Sequence, residues 1–361
     1  MFVLRLQEHP VPVGSDEPDI LLAWILDTMG LVRRRNISDE VVATRGSIHA
    51  LMKDCLLPEP LRGWDSQSMI EASGISSTAL HHQLVKLRSC GLLATVTEGR
   101  WKRHIIRNGS LSAAIELIAA QAEIILKQRM SILDDVIVDS ETRMEIDSLQ
   151  RGGEDLPFRI IISEQGPIDQ QATIESLLRD FGFTGDRGKT DDDLSMRVFT
   201  LLGSAETPLT ADYLMNETNE SRTRILGILD RLRSALLVER VLLEDRISHN
   251  LFIGFTHQWA QRGEQWIRGR GGLGRIEQHV ADQIISDLNQ EKLTTERISK
   301  HLDGIDIGVK CLLVNTLGGR VPYGYRLTGK DASAVFSRLL SRVERILERL
   351  QMISKKYDQI T

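Results

Sequence analysis

Apolar positions recur at helical spacing along most of the chain, and short runs of β-forming residues follow some of these predicted helices. Leu80, Leu84 and Leu87 repeat at i, i+4 and i+7, which predicts an amphipathic helix with one buried stripe. A shorter helix around Met69 is predicted before it. Gly74 lies between the two and supplies the permissive backbone that a tight helix-to-helix turn needs.

A hairpin is predicted directly after the second of these helices. Gly91 is suited to end the helix as a C-cap glycine. Leu92 to Thr97 and Trp101 to Ile106 are rich in β-forming residues and flank Glu98-Gly99, which is typical of a turn. A short helix, a turn, a second helix and a hairpin are the order of parts in a winged helix-turn-helix.

Two groups of polar side chains indicate what this unit contacts. Hydrogen-bonding side chains lie mostly in the N-terminal half of the second helix, where a recognition helix meets base edges. The candidates for base or backbone contacts are Ser77, Thr78, His81, Gln83 and Lys86. Cationic side chains cluster on the hairpin, where a wing lies along a phosphate backbone. The candidates for phosphate contacts are Arg100, Lys102 and Arg103.

The segment also resembles the recognition helix of ArsR-like winged-helix repressors. In that family a serine, a histidine before a leucine, and a final Gly-Leu-Val recur at similar spacing. The matching positions here are Ser76, Leu80, His82, Leu84, Leu87 and Gly91-Leu92-Leu93. The resemblance extends over residues 46–130 and implies a DNA-binding winged helix for this part of the chain. The metal-ligand cysteine pair of the metal-sensing members is missing, so metal sensing is not implied.

A similar pattern recurs in the second half of the chain. Leu194 to Leu202, Thr210 to Asn216 and Glu220 to Leu236 predict three helices. Leu237 to Glu244 and Asn250 to Thr256 then predict a second hairpin. This wing is less basic than the first.

A third and weaker copy is predicted from residue 275 onward. Its helices are expected at Ile276 to Leu288, Thr294 to Leu302 and Ile307 to Leu317. Arg320 to Thr328 would be its wing strand and would lead into the final helix.

These elements predict a mainly α protein with small β-hairpin wings, in which tandem winged helix-turn-helix modules are joined by long helices. A length of 361 residues is compatible with two or three domains. We expect residues 1–135 to form an N-terminal winged-helix DNA-binding domain with the long helix that follows it. Residues 136–193 would be a linker or a small α/β segment. Residues 194–274 would be the second winged-helix domain, and residues 275–361 a third module with a coiled-coil-like C-terminal helix.

Two long helices carry narrow apolar seams that could join two chains. Leu111, Ile115, Ile118, Ala122 and Ile125 step by four and three. In ArsR-like proteins a helix at this place dimerises, and packing within one chain is the alternative. The last helix, from Asp331, has the cleaner seam, and we expect it to form a homodimer in preference to packing on its own domain. Its seam residues are Phe336, Leu339, Val343, Ile346, Leu350 and Ile353.

The distribution of charge along the chain limits the kind of DNA binding that is possible. The net charge is −5, whereas a nonspecific nucleic-acid coat protein is usually basic, so DNA binding must be local. Residues 62–107 hold seven Lys and Arg against three Asp and Glu, a local +4. A second basic run, Arg33-Arg34-Arg35, is either a solvated helix end or a DNA-backbone contact.

The cellular location of the protein and the absence of catalytic activity are predicted from motifs that the sequence does not contain. Three cysteines without paired spacing, Cys55, Cys90 and Cys311, indicate a reducing cytoplasm and neither a zinc site nor a disulfide framework. We find no membrane-spanning run, signal peptide or catalytic motif, and expect neither an enzyme nor a cofactor. His81 and His82 are adjacent, so a helix cannot aim both at one metal ion; His82 is expected at the helix rim.

The sequence therefore predicts a transcriptional regulator that binds double-stranded DNA in a sequence-specific manner, as a homodimer. A small-molecule or protein effector is compatible with it. The alternative is a tandem winged-helix scaffold for protein interactions, of the chromosome-organisation or complex-assembly type. RNA binding is a third interpretation, but the chain lacks regularly spaced aromatic residues that would stack on bases.

Overall fold

A computed structural model describes residues 1–32, 46–145, 156–166, 173–184 and 189–361, and gives the backbone alone for residues 189–192. The protein is mainly helical, with small antiparallel sheets, as predicted. The helices described are α1 (Pro18–Thr28), α2 (Ser47–Leu51), α3 (Ser66–Ser73), α4 (Ser77–Ser89), α5 (Leu111–Met130), α6 (Ile174–Asp180), α7 (Lys189–Ser204), α8 (Ala211–Thr218), α9 (Arg222–Ser234), α10 (Glu244–Arg268), α11 (Gln278–Asn289), α12 (Thr295–His301), α13 (Ile307–Thr316) and α14 (Ala332–Ile360). The strands described are β1 (Val3–Gln7), β2 (Leu93–Glu98), β3 (Trp101–Ile106), β4 (Arg159–Ser163), β5 (Leu209–Thr210), β6 (Val238–Leu242) and β7 (Tyr323–Leu327).

The helix-turn-helix pair forms where the sequence predicts it. Asp65 caps α3 by accepting hydrogen bonds from the main-chain amides of Gln67 and Ser68, at 2.9 and 3.1 Å. Gly74 ends α3 with φ of 67°, a left-handed conformation that glycine adopts without strain. Ser76 then caps α4 by accepting a hydrogen bond from the amide of Ala79 at 3.3 Å.

The hairpin after α4 pairs β2 with β3, with Leu93 opposite Ile106 and Glu98 opposite Trp101. The main chain of Trp64 adds a third partner, because it exchanges two hydrogen bonds with His104 at 2.9 and 2.8 Å. Helices α2, α3 and α4 pack around the base of this small sheet.

Residues 156–166 and 173–184 contain a strand that pairs with the N-terminal strand and a short helix. Strand β4 pairs antiparallel with β1, with Val3 opposite Ser163 and Gln7 opposite Arg159. Helix α6 packs on β4 and on α7. The described part of residues 136–193 thus contributes a strand and a helix, and the strand completes a sheet that starts at the N-terminus.

Arg143 lies in the segment that connects the first half of the chain with the second half, and it holds this segment in place through hydrogen bonds. Its guanidinium is 1% exposed and donates hydrogen bonds to the carbonyls of Val138, Gly203 and Lys330, at 2.7 to 2.9 Å. Burial lowers the pKa of this arginine. Arg326 in turn donates a hydrogen bond to the carbonyl of Arg143 at 2.7 Å. The segment around Arg143 is thus held by backbone carbonyls of the second half, at Gly203 and Lys330.

The second half contains a three-stranded antiparallel sheet in the order β5-β7-β6. Val238 of β6 lies opposite Leu327 of β7, and Leu242 lies opposite Tyr323. The predicted second hairpin is therefore wrong. Residues 250–256 belong to helix α10, and β6 takes its partner from a strand about eighty residues downstream.

Helices α10 to α13 are inserted between β6 and β7 and have a hydrophobic core of their own. The helices predicted for a third module are present here. The predicted strand is present too, but its role as the wing of that module is wrong, because β7 pairs with β5 and β6. A domain boundary after residue 274 is wrong as well. It would divide a core that contains Leu251 and Phe255 on one side and Ile284 and Leu313 on the other.

The two apolar seams pack against each other within one chain. Helix α14 lies along α5 and α1, which covers the stripe predicted to hold a second copy. Leu339, Val343, Ile346, Leu350 and Ile353 are at most 3% exposed, and Phe336 packs on the same core while partly buried. The prediction that this seam forms a homodimer is therefore wrong. Charged pairs flank the contact, since Arg342 and Arg349 both bind Glu8, the latter at 2.8 Å.

The described ranges offer neither a bilayer-crossing helix nor a metal-ion cluster. None of their helices has the length and apolarity needed to cross a bilayer. Nor do they bring three or more His, Cys, Asp or Glu side chains together as a metal-ion site.

Candidate nucleic-acid interface

Helix α4 presents one buried and one exposed face. Leu80, Leu84 and Leu87 are at most 5% exposed and pack into the core. Ser77, Thr78 and His81, predicted to contact DNA, lie on the exposed side. Gly74 makes the turn before α4, and Ser76 caps the helix. The helix therefore begins at Ser77, and these side chains lie in its first two turns.

Gln83 and Lys86 do not lie on that face, which corrects their prediction as DNA contacts. Both occupy the flank of α4 that faces the N-terminal helices. The amide of Gln83 donates a hydrogen bond to the hydroxyl of Ser47 at 2.9 Å. The ammonium of Lys86 donates one to the carbonyl of Leu31 at 3.3 Å. These side chains hold α4 against the body of the domain, because their spacing from the buried leucines turns them toward α2 and the end of α1.

Three further residues share the exposed face and were not predicted. His82, expected at the rim of the helix, is exposed beside His81, with ring centroids 6.2 Å apart. Val85 is 43% exposed, and Arg88 is exposed one turn further along. The helical period contained part of this information, since positions 78, 82 and 85 lie opposite the buried leucine stripe, with positions 81 and 88 at its side.

The wing carries its predicted cations outward. Arg100, Lys102 and Arg103 are all exposed. Arg103 forms an ion pair with Glu98 across the hairpin at 2.8 Å. Both side chains of this pair are largely exposed, so solvent screens the interaction and a stronger anion can replace the carboxylate.

His104 is a buried residue of the wing. Its imidazole is 3% exposed at the base of the hairpin, and its Nδ1 atom lies 2.9 Å from the hydroxyl of Thr95. Burial lowers the pKa of His104, and the charges of Arg88 and Lys102 lower it further. Helix α4 packs against β2 of the hairpin. We call the exposed face of α4 together with the wing the helix–wing surface.

Two large apolar side chains are exposed on the hairpin. Trp101 is 66% exposed at the turn end of β3, and Val96 is 51% exposed on β2. Both belong to the face of the hairpin that also carries Arg103, because Val96 lies opposite Arg103 and Glu98 opposite Trp101. In the sequence, Trp101 had indicated only a β-strand.

The helix–wing surface has the chemistry of a binding surface for a polyanion with polar edges. Hydroxyl and imidazole groups on α4 can donate and accept hydrogen bonds, and guanidinium and ammonium groups on the wing can bind phosphates. The basic run Arg33-Arg34-Arg35, a further candidate for a backbone contact, lies outside the described residues.

A scan against protein-family models and searches of curated proteins and of solved structures found no match to this chain.

Proposed function

We propose that this protein is a transcriptional regulator that binds double-stranded DNA in a sequence-specific manner through winged helix-turn-helix modules. The observation that carries the proposal is the helix–wing surface. An exposed helix with hydrogen-bonding side chains near its N-terminus lies beside a hairpin with three exposed cations. In winged-helix proteins the helix reads base edges and the wing contacts phosphates.

The order of elements supports a winged-helix assignment for both halves. In the first half α2, the strand position at Trp64, α3, α4, β2 and β3 follow one another. In the second half α7, β5, α8, α9, β6 and β7 repeat that order, with the helices α10 to α13 inserted at the wing. In both, the short first strand pairs with the last strand of the sheet.

The first module is the one we assign to DNA. In the second module the equivalent helix, α9, faces the inserted helices across a cavity, which leaves it less open to a duplex than the exposed face of α4. Arg222, Leu226 and Asp230 repeat at i, i+4 and i+8 on that face. A major-groove contact needs such a face to be open.

If the protein is a homodimer, its two chains must contact each other through surfaces other than the predicted seams. Both predicted seams, on α5 and α14, are covered within the chain. The reducing cytoplasm that we propose as the location is compatible with the free thiols of Cys55, Cys90 and Cys311.

A protein-interaction scaffold is the second candidate function, and the exposed apolar residues of the wing favour it. Trp101 and Val96 together offer an apolar contact that phosphates do not need. Aromatic residues of this kind are enriched at protein–protein interfaces. Under this interpretation the helix–wing surface would bind another protein.

A binding-site selection from random duplex DNA with the full chain tests the proposal. We expect enrichment of one sequence, and we expect the variant Thr78→Ala/His81→Ala to lose the preference while it still binds DNA weakly through the wing. His249→Ala, an exposed histidine on α10, is the matched control and should select the parent sequence. No enriched sequence with the parent protein would exclude sequence-specific binding and leave the scaffold as the better explanation.

A further inference from the structure

A cavity of about 960 Å³ lies between the second module and the inserted helices. Helix α9 and the strands β6 and β7 form one side. Helix α10 and the loop of residues 317–322 form the other. The volume is at the upper end of the range of roughly 300–1,000 Å³ that is usual for small-molecule sites. The cavity is therefore large enough for a ligand that contacts both bodies at once.

Arginine dominates the charge of this cavity. Five arginines contribute to its lining, and the two carboxylates are Asp212 and Asp230. The arginines are Arg222, Arg233, Arg240, Arg246 and Arg320. With five cations and two anions, the lining has a formal excess of three positive charges. An anion that enters this space is attracted from several sides.

The carboxylates are already engaged by two of the arginines. Arg222 forms an ion pair with Asp212, and Arg233 pairs with Asp230 at 2.9 Å. In the described part of the chain, no carboxylate lies within ion-pair distance of Arg240, Arg246 or Arg320. Among the described residues, three guanidinium groups at one cavity therefore have no acidic partner.

The arginine on the sheet is held in place by an aromatic ring. The guanidinium of Arg240 lies 4.2 Å from the ring centroid of Tyr323, on the neighbouring strand. The side chain of Tyr325, two residues further along that strand, is 6% exposed. Burial raises the pKa of Tyr325 and Asp230 raises it further, whereas Arg240, Arg233 and Arg222 act to lower it.

We propose that this cavity binds a nucleotide, with its phosphates on the arginines and its nucleoside on the apolar part of the lining. Guanidinium groups bind phosphate oxygens in a bidentate manner, and Arg246 and Arg320 are exposed and able to turn toward a ligand. Leu226, Ile253 and Val321 supply apolar contacts for the organic part. A bare polyanion would leave those contacts unused.

The ligand would contact the second module and the inserted helices at the same time. Arg222, Arg233 and Arg240 belong to the module, whereas Arg246 and Arg320 belong to the insertion. The cavity shares no residue with the helix–wing surface. The proposal of a nucleotide site therefore does not depend on the proposal that the first module binds DNA.

Isothermal titration of the full-length protein with ADP tests the inference, with adenosine and pyrophosphate as partial ligands. We expect ADP to bind more tightly than either. Removing two charge-assisted contacts in Arg246→Ala/Arg320→Ala should weaken ADP binding by about tenfold or more. Both side chains are exposed and pair with no carboxylate of the described ranges, so the fold should tolerate the change. The matched control is Arg270→Ala, an exposed arginine outside the cavity, which should bind as the parent does.

Any of four results would overturn the inference. The first is that ADP fails to bind the folded parent protein at millimolar concentration. The second is that the double variant binds ADP as tightly as the parent, which would place the site elsewhere. The third is that pyrophosphate matches ADP, which would show that the cavity accepts phosphate alone. The fourth is competition by a single-stranded oligonucleotide, stronger than by ADP, which would point to a nucleic-acid polymer and count against a nucleotide site.

Discussion

The side-chain amide of Gln83 donates a hydrogen bond to the hydroxyl of Ser47 over 2.9 Å, which ties helix α4 to the first residue of α2. Gln83 is half-buried, and its Oε1 atom is buried without a hydrogen-bond partner among the described residues. The residue that looks most like a base-reading side chain is thus part of the scaffold that orients the helix.

Replacing Gln83 by alanine should therefore change stability and leave DNA preference unchanged. Loss of one hydrogen bond should lower the free energy of unfolding by about 0.5–1.5 kcal/mol, measured by urea denaturation. Thr78→Ala, on the exposed face, should do the opposite and lose sequence preference at parental stability. A shift in the selected DNA sequence for Gln83→Ala would show that this amide reaches the bases after all.

The wing should contribute affinity without specificity. The triple variant Arg100→Ala/Lys102→Ala/Arg103→Ala should weaken binding to selected and random duplexes alike. The slope of log affinity against log salt should become shallower by about 0.9 for each phosphate that the variant no longer neutralises. Fluorescence anisotropy at several salt concentrations measures both effects.

Arg270→Ala/Lys292→Ala/Lys300→Ala is the matched control for the wing variant. It removes the same charge from exposed positions in the inserted helical body. We expect parental affinity and a parental salt slope. If both triple variants lose the same affinity, then the net charge of the protein determines the affinity, and the wing makes no specific contact with DNA.

Charges placed in the seam of α14 should unfold the protein. Val343 and Ile346 are 0% and 1% exposed and face α5 and α1 of the same chain. An unpaired buried carboxylate costs about 3–5 kcal/mol, and a domain has only about 5–15 kcal/mol in total. Val343→Asp/Ile346→Asp should therefore lose helical circular dichroism at 25 °C.

The control for the seam is Met352→Asp, which places the same charge at a residue of α14 that is 55% exposed. It should melt close to the parent temperature. A double variant that keeps its circular dichroism while analytical ultracentrifugation shows a smaller species would restore α14 as an interface between two chains.

His104 should make the first module sensitive to mild acid. Burial, with Arg88 and Lys102 nearby, holds its pKa in the folded protein below the ordinary 6.5. As the pH falls through 6.5, the unfolded chain takes up a proton that the folded chain does not, so folding loses stability. Above that pH both states are neutral and the contribution is complete.

Urea denaturation at pH 7.5 and 5.5 measures this effect. His104→Asn should show a smaller loss of stability between the two pH values than the parent, whereas His249→Asn, an exposed histidine, should lose as much as the parent. Equal pH dependence in the parent and in His104→Asn would show that the imidazole is not the titrating group.

Local patterns were sufficient for the first module. The two helices, the turn at Gly74 and the hairpin turn depend on residues within a few positions of one another. Such short-range interactions are visible in the order of residues. The same holds for Thr78 and His81, which the helical period turns away from the leucine stripe, whereas Ser77 is exposed as the first residue of α4.

Periodicity failed where two interpretations were locally similar. The run 250–256 contains β-forming residues, yet Ile247, Leu251 and Phe255 repeat at helical spacing and are buried on one side of α10. The chain forms a helix there because that spacing lets all three enter the core of the inserted body. The partner of β6 then had to come from β7, at a separation that no local pattern reveals.

The order of residues alone was enough to specify the helices of the first module, the leucines buried there and the exposed cations of the wing, because backbone propensity and side-chain period act over a few residues. Contacts between distant segments were needed to pack α14 on α5, to turn Gln83 toward Ser47, and to gather five arginines around one cavity. An apolar seam in the sequence predicts that the stripe is buried, but it does not identify the surface that buries it, because the hydrophobic effect is not directional.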